Sequence, residues 1–295
     1  MKIGVVGSIN VDMVYKMPSF LKMGETKFGF DFQIHMGGKG ANQAVMLSAL
    51  NDDVVFLGAV GEDSFAEDAL THLKNKNIDV QQVSRKKANT GLAIIQLVDG
   101  DNSIAVIPGA NILIETREVD AFLNNHPDLR LVVTQLETNL DIVEYLIRQC
   151  KLRNIPVILN PAPAAMLSRS IIDDVAYLIP NESETELLFN STDFARLVED
   201  HQGKLIITMG SHGVMYFDGT KAETAPSQSL KVVDTTGAGD SFVAGFATGI
   251  LHQRSLRESV EFGIQIASLT CMNMGAQGAY EQTRSLYHEK TWNLE

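Results

Sequence analysis

Short apolar runs recur along this chain and alternate with longer stretches whose apolar positions fall three and four residues apart. The runs at Lys2–Val6, Asp53–Ala59, Leu131–Gln135, Pro156–Asn160, Val175–Ile179 and Lys204–Thr208 read as buried strands. The stretches Gly40–Leu50, Ser64–Lys76, Asn139–Lys151 and Ser183–Phe189 carry helical spacing. Strand and helix in alternation predict βαβ units, hence a three-layer α/β fold with a mostly parallel central sheet flanked by helices. Two segments depart from this. Val11–Ile34 and Thr90–Ile107 are strand-like without an intervening helix, and the second reads as a hairpin of Leu92–Leu97 and Ser103–Ile107 turning at Asp99-Gly100-Asp101-Asn102. Together they predict a small antiparallel sheet, formed by about residues 11–35 and 90–108, standing off the main body as a lid. Such a sheet has apolar faces and edges that a partner chain would cover. No Pro/Gly/Ser-rich linker, repeat or low-complexity tract interrupts residues 1–295, so a single domain bearing a lid is expected.

Composition narrows the partners. With 295 residues, 45% hydrophobic and 20% charged, the chain has the make-up of a soluble globular protein with a sizeable core. A net charge of −12 argues against non-specific binding to nucleic acid or anionic membranes, which needs clustered cations. It leaves room for an anionic nucleotide, whose charge backbone N–H groups and one Lys or Mg²⁺ can neutralise locally. Cys150 and Cys271 lie in apolar surroundings without metal-ligand spacing and read as reduced, buried thiols. No run has the length of a membrane helix, and Met1–Ser8 reads as a first strand rather than a signal peptide. A cytoplasmic location is expected.

Three segments carry candidate chemistry. Val233-Asp234-Thr235-Thr236-Gly237-Ala238-Gly239-Asp240 precedes an apolar run that starts a helix. Its glycines let N–H groups turn toward one point, and a helix N-terminus attracts phosphate. Asp240 at the lip of such a cradle is either an N-cap or a base that takes a proton from an attacking hydroxyl. Met36-Gly37-Gly38-Lys39-Gly40-Ala41-Asn42-Gln43-Ala44 is a second glycine-rich entry to a helix, with Lys39 and Asn42 as polar side chains at its mouth. It lacks P-loop spacing, and the first strand lacks Gly-x-Gly-x-x-Gly, which disfavours a nicotinamide site. It is either a tight strand-to-helix turn or a place of close approach to a ligand. Asn10 and Asp12 follow the first strand, alternate along an extended chain, and suit vicinal hydroxyls of a sugar or else a turn.

These segments, with Gln135-Leu136-Glu137, Asn160–Ala164, Pro180–Glu184 and Thr208–Gly213, stand in the order and spacing of the ribokinase (PfkB-type carbohydrate kinase) family, which the chain resembles from Lys2 to about Gln277. The resemblance implies an ATP-dependent sugar kinase that uses Mg²⁺. It implies transfer of the γ-phosphate to the O5 hydroxyl of D-ribose, with deoxyribose, fructose or tagatose phosphate, or a nucleoside as alternative acceptors. A non-catalytic sugar-binding protein on the same fold is a further alternative. By the same likeness Asp240 is the base, and the N–H groups from Thr236 through Gly237 and Ala238 to Gly239 form the anion hole. Asn10, Asp12, Gly38, Lys39, Asn42 and Glu137 hold the sugar. Asn181 and Glu184 match an Asn-x-x-Glu motif associated with phosphate and Mg²⁺, while Thr208, Gly210 and Gly213 line the ATP site. Asp234, Thr236 and Gly275, with Thr270 and Asn273, match the surroundings of a monovalent cation, K⁺. There the chain departs from the family, reading Gly278-Ala279-Tyr280 where Pro-Ser usually follows Gly-Ala-Gln. A homodimer formed through the lid is also implied.

Overall fold

The computed structural model describes residues 1–50, 52–99, 101–228 and 230–289. The chain leaves β1 (Lys2–Val6) for β2 (Asn10–Lys16) and β3 (Phe30–Gly37), then enters α1 (Lys39–Ala49). There follow β4 (Asp53–Val60), α2 (Ser64–Asn75), β5 (Asp79–Arg85), β6 (Gly91–Val98) and β7 (Asp101–Ile107). Helix and strand next alternate through α3 (Thr116–Asn125), β8 (Leu129–Thr134), α4 (Leu140–Leu152), β9 (Val157–Leu159), α5 (Arg169–Asp174) and β10 (Tyr177–Leu178). Helices α6 (Glu182–Phe189) and α7 (Phe194–Asp200) lead to β11 (Ile207–Thr208), β12 (Val214–Phe217) and β13 (Ala222–Ala225). Three helices close the described chain: α8 (Ala238–Leu251), α9 (Leu256–Thr270) and α10 (Gln277–Glu289).

Six parallel strands form the central sheet in the order β10-β9-β8-β1-β4-β5. Alternation along β1 sends Ile3 and Val5 into a core shared with α1, α8 and α9, and Val6 into a second core shared with α3 and α4. The three layers follow from that alternation, because each face of a buried parallel sheet needs its own cover of helices. Single parallel bridges, Leu178 to Leu205 and Asn181 to Thr208, lead on to the antiparallel set β11-β12-β13. Strand pairing at Val175–Ile179 and Lys204–Thr208 is accordingly shorter than the apolar runs predict. Cys150 is buried and Cys271 half-buried, both as free thiols. No helix among the described residues is long and apolar enough to cross a membrane.

The two irregular segments form a second sheet, β3-β2-β6-β7. β2 with β3 and β6 with β7 are antiparallel, but β2 runs parallel to β6, so the sheet is mixed where a wholly antiparallel one was expected. The β6–β7 turn is also tighter than expected. Val98 pairs with Asp101, which puts Asp101 and Asn102 inside β7 rather than in the turn. Asp99 adopts φ +49°, the positive value that such turns demand, while Gly100 lies outside the described residues. Phe30, Phe32, Ile34, Ile104 and Val106 leave large apolar surfaces exposed on this sheet.

Helices α8 and α9 approach closely because glycines stand at their contact. A Cβ on Gly245 would lie 3.0 Å from the Gly263 Cα, and one on Gly263 would lie 2.8 Å from the Phe242 ring. Gly263→Val is therefore expected to destabilise the fold by about 2 kcal/mol or more through overpacking. Gly278→Ala on α10, where a Cβ meets open space, should be neutral or gain about 0.5–1 kcal/mol. Urea denaturation of the two variants checks the contrast.

Candidate active site

The strand ends of the central sheet set the site. Ser8 follows β1, Glu137 follows β8, Asn160 follows β9, Asn181 follows β10 and Thr208 ends β11. All lie at the carboxyl edge, where open parallel sheets place their ligand crevice. Opposite this edge stands the first turn of α8. Between them is a cavity of about 130 Å³, lined among others by Lys39, Asn160, Asn181, Glu184, Gly239 and Asp240.

Gly237 caps α8 with φ +77°, and a Cβ there would stand 2.7 Å from the Ala276 Cβ. Only glycine supplies both the left-handed backbone and the space. Asp240 is then the third helical residue and makes no capping bond. It is 6% exposed, and its carboxylate accepts hydrogen bonds from Asn42 Nδ2 at 2.9 Å and Gln43 Nε2 at 3.0 Å. The choice between cap and cavity carboxylate is thereby decided for the cavity. The amides around it divide into two kinds. Thr236 donates its N–H to Asp234 Oδ1 at 2.9 Å, and Ala238 donates to the Thr235 carbonyl at 3.1 Å, so both are turned away from the cavity. Gly239 and Asp240 sit where helical amides lack an acceptor one turn upstream, and a Cβ on Gly239 would meet only open space.

Lys39 is the first residue of α1 and faces three carboxylates. Asp240 foremost, then Glu137 and Glu184, raise its ammonium above the ordinary lysine value against the cost of burial. Glu137 Oε2 accepts from the Lys39 amide at 3.0 Å and from Ser8 Oγ, and Ser8 Oγ in turn accepts from the Gly40 amide at 3.2 Å. Glu137 thus builds the N-terminus of α1 as well as bordering the cavity's charge. Gly38 caps α1 with its Cα packed against the backbone of Asn10 and Ser8. Asn10 is 2% exposed, and its Oδ1 accepts from Asn111 Nδ2 at 2.8 Å, which leaves its own amide donor free to turn elsewhere. Asp12 lies against Gly37, and burial, with Glu137 and Asp240 adding to it, pushes its carboxyl up to about 7.

Asn181 and Glu184 form a reciprocal capping box on α6: the Asn181 amide donates to Glu184 Oε2, and the Glu184 amide donates to Asn181 Oδ1, both at 2.8 Å. Burial raises the Glu184 carboxyl, while the Asn181 amide and Lys39 act the other way. Both residues line the cavity, and the box occupies only one Glu184 oxygen. Thr208 lines it too, with its amide on the Pro180 carbonyl at 2.9 Å. Gly210 has open space at its Cβ position, whereas a Cβ on Gly213 would stand 2.0 Å from the Ala225 carbonyl. Gly213 therefore allows the close passage of β13.

Asp234 ties two loops together. Its Oδ1 holds the Thr236 amide and hydroxyl, and its Oδ2 accepts from the Gly275 amide at 2.8 Å. These contacts hold its carboxyl below the ordinary aspartate value despite burial. Thr270 stands apart from this group. Its hydroxyl is fully buried and donates to the Ile266 carbonyl at 3.0 Å, with Ser241 Oγ as its other hydrogen-bond partner at 2.9 Å, so this side chain joins helices. Asn273 points its amide at the Leu269 carbonyl. No group of three or more His, Cys, Asp or Glu side chains that could hold a metal occurs among the described residues.

Sequence reasoning missed several polar residues that the structure brings to the site. Gln43 holds Asp240 and itself accepts from Gln135 Nε2 at 2.5 Å. Asn111 fixes Asn10, and Gln277 Nε2 holds Asn42 Oδ1 at 2.8 Å. Gln43 lay within a recognised motif beside Asn42 and could have been found; Asn111 carries no sequence signal at all.

A family model described as pfkB family carbohydrate kinase matches residues 1–283. The chain is 38% identical over 282 residues to a ribokinase of Lactococcus lactis, covering 94% of this chain and 93% of that protein. Among solved structures it is similar to a ribokinase from Thermotoga maritima, at 28% identity and a TM-score of 0.86, over 97% of this chain and 99% of the other. It is likewise similar to an Arabidopsis thaliana ribokinase complexed with ribose and ATP, at 28% identity and a TM-score of 0.84, over 96% and 97% of the two chains.

The raised Asp12 carboxyl has a measurable sign. Its folded-state value of about 7 lies above the ordinary 3.8, so the folded protein holds this proton more tightly than the unfolded chain does. Stability is then lost as pH rises from about 4 to above 7. Asp12→Asn removes that loss. Its melting temperature should exceed that of the unsubstituted protein by a few degrees at pH 8, with the gain shrinking toward pH 4.5 in thermal scans.

Proposed function

This chain belongs to the pfkB family of carbohydrate kinases, enzymes that place a phosphoryl group on a sugar hydroxyl, and we propose that it transfers the γ-phosphate of ATP to the O5 hydroxyl of D-ribose, with Asp240 as the base. One observation carries the assignment: a nearly buried carboxylate, held by two amide donors, faces a cavity bordered by a lysine and by the amides of a helix N-terminus. The ribose reading is supported by the resemblance to ribokinases, one of them complexed with ribose and ATP.

Phosphoryl transfer needs little covalent help, so position and charge carry the rate. Asn42 and Gln43 hold both oxygens of Asp240 in place while leaving lone pairs to accept the hydroxyl proton. Lys39 and the first-turn amides at Gly239 and Asp240 offset the charge of the phosphoryl group in flight. Asn10, Asp12 and Asn42 bring donors and acceptors to the sugar's hydroxyls. Mg²⁺, which neutralises nucleotide phosphates when bound, suits Glu184, whose second oxygen lies outside the capping box. A K⁺ ion suits the loops that Asp234 joins, with backbone carbonyls beside Thr236 and Gly275 as donors; the Thr270 hydroxyl takes no part.

The β3-β2-β6-β7 sheet acts as the lid, and two copies pair through its exposed face at Phe30, Phe32 and Ile34, giving a homodimer. The setting is the cytoplasm, where ATP is supplied.

Asp240→Asn preserves the side chain's size but sets its NH₂ against one of the two amide donors, and it cannot serve as a base. We expect kcat to fall at least about a thousandfold, with ribose affinity by calorimetry within a few-fold of the unsubstituted protein. Near-native kcat would remove Asp240 from the base role. Replacing Na⁺ by K⁺ at constant ionic strength is expected to raise the rate several-fold; a flat response rules out the cation site.

A further inference from the structure

We propose that His72 and Gln277 are positioning residues that set the orientation of Asp240 through Asn42. The proposal rests on the reading of Asp240 as the base and adds an outer support to it. His72 lies half-buried on α2, which contributes nothing to the cavity wall. Its Nε2 stands 2.6 Å from Gln277 Oε1, Gln277 Nε2 stands 2.8 Å from Asn42 Oδ1, and Asn42 Nδ2 stands 2.9 Å from Asp240 Oδ2. Gln277, Asn42 and Asp240 are all less than 9% exposed, so water cannot replace these partners at low cost.

The direction of every bond in this line is dictated from its inner end. An ionised carboxylate only accepts, so Asn42 must turn its NH₂ toward Asp240 and its oxygen away. That oxygen only accepts, so Gln277 must present its NH₂. The remaining Gln277 oxygen then requires the Nε2–H form of His72. Read from the outside inward, the His72 N–H selects one of two orientations of the Gln277 amide, and Gln277 selects one of two for Asn42. The three donors all point toward the carboxylate, and such chains strengthen one another in a low-dielectric interior. An Asn42 freed of Gln277 could turn its oxygen toward Asp240, and the carboxylate would lose a donor and its fixed plane.

Two features show that this line is built into the fold. Lys76, the cap residue just past α2, forms an ion pair with Glu281 on α10, each four residues beyond His72 and Gln277. The two contacts make successive rungs between those helices. In addition, Gly275, two residues before Gln277, is tied by its amide to Asp234. The start of α10 is thus fixed from both sides, and Gln277 has a defined place from which to reach Asn42. The other Asp240 oxygen has a comparable support in Gln43 and Gln135, which lies wholly inside the body of the protein.

Steady-state kinetics on His72 and Gln277 variants tests this. Gln277→Leu and His72→Leu should each lower kcat about tenfold, the worth of one hydrogen bond to a charged network. The KM for ATP should stay within about twofold, since no contact in the line reaches the nucleotide side. His72→Gln, whose Nε2 can occupy the place of the imidazole Nε2–H, should recover most of the His72→Leu loss. Gln277→Glu cannot donate to Asn42 and should lose at least as much as Gln277→Leu. Unchanged kcat in Gln277→Leu, or His72→Gln no better than His72→Leu, overturns the proposal. If a leucine variant fails to fold, Gln277→Glu against the unsubstituted protein decides: a native kcat overturns it. Asp240→Asn, assayed alongside, separates the two readings. An inactive Asp240→Asn with native Gln277 variants sinks the positioning line alone, while an active one sinks the base.

Discussion

Burying an ionised carboxylate costs several kcal/mol unless hydrogen bonds and nearby charge offset it, and Asp240 is the place where this chain must meet that demand. The compensation comes from elsewhere in the sequence: two amides on α1, the field of Lys39, and the positive end of α8 on which the residue itself sits. Helices α1 and α8 must therefore lie side by side in one register. A second buried carboxylate repeats the demand at their far ends. Asp52, just past α1, accepts from Thr248 Oγ1 at 2.6 Å and meets His252 Nε2 at 3.1 Å near the end of α8. Sliding one helix along the other by a turn would unpair two buried acids at once.

That constraint orders the rest of the body. The glycines at the α8–α9 contact let α9 seat closely behind α8, so the helix bearing Asp240 is backed by a near-rigid layer. In front of it, the parallel sheet delivers Glu137, Asn160 and Asn181 from successive strand ends to one edge, and the bridge from Asn181 brings Thr208 of β11 beside them. The result is a small polar cavity whose walls come from segments far apart in sequence but whose carboxylate, Asp240, is fixed by one helix pair.

Much of this was legible in the sequence. The apolar runs at Lys2–Val6 and Asp53–Ala59 become β1 and β4 almost residue for residue, because interior strands are apolar throughout. Strand β5 escaped notice: it is an edge strand, and its Asp79-Val80-Gln81-Gln82-Val83-Ser84-Arg85 pattern is half polar. Strands β12 and β13 are short and belong to a separate antiparallel set, so their pattern carries little length to recognise. In the site, residues within glycine-rich motifs were visible because backbone geometry restricts what can stand there. Gln277, His72 and Asn111 were not, since a lone amide or imidazole acquires its role only from what the fold sets opposite it. The Thr270 hydroxyl, fully buried between helices beside Ser241, likewise owes its partners to packing that the sequence pattern does not reveal.

Two strands of the smaller sheet begin and end beside the entry to α1. β2 starts with Asn10, with only three residues between it and the end of β1, and β3 ends at Gly37, one residue short of the cap of α1. The outer sheet is thus a pair of levers whose fulcrum is made of the residues proposed to hold the sugar. Any tilt of the sheet moves Asn10 and Asp12 relative to Asp240, and any ligand gripped by all three holds the sheet at one angle. On that proposal, affinity for the sugar and the posture of the sheet are a single mechanical variable, and a change at the tip of a lever is felt at its short arm.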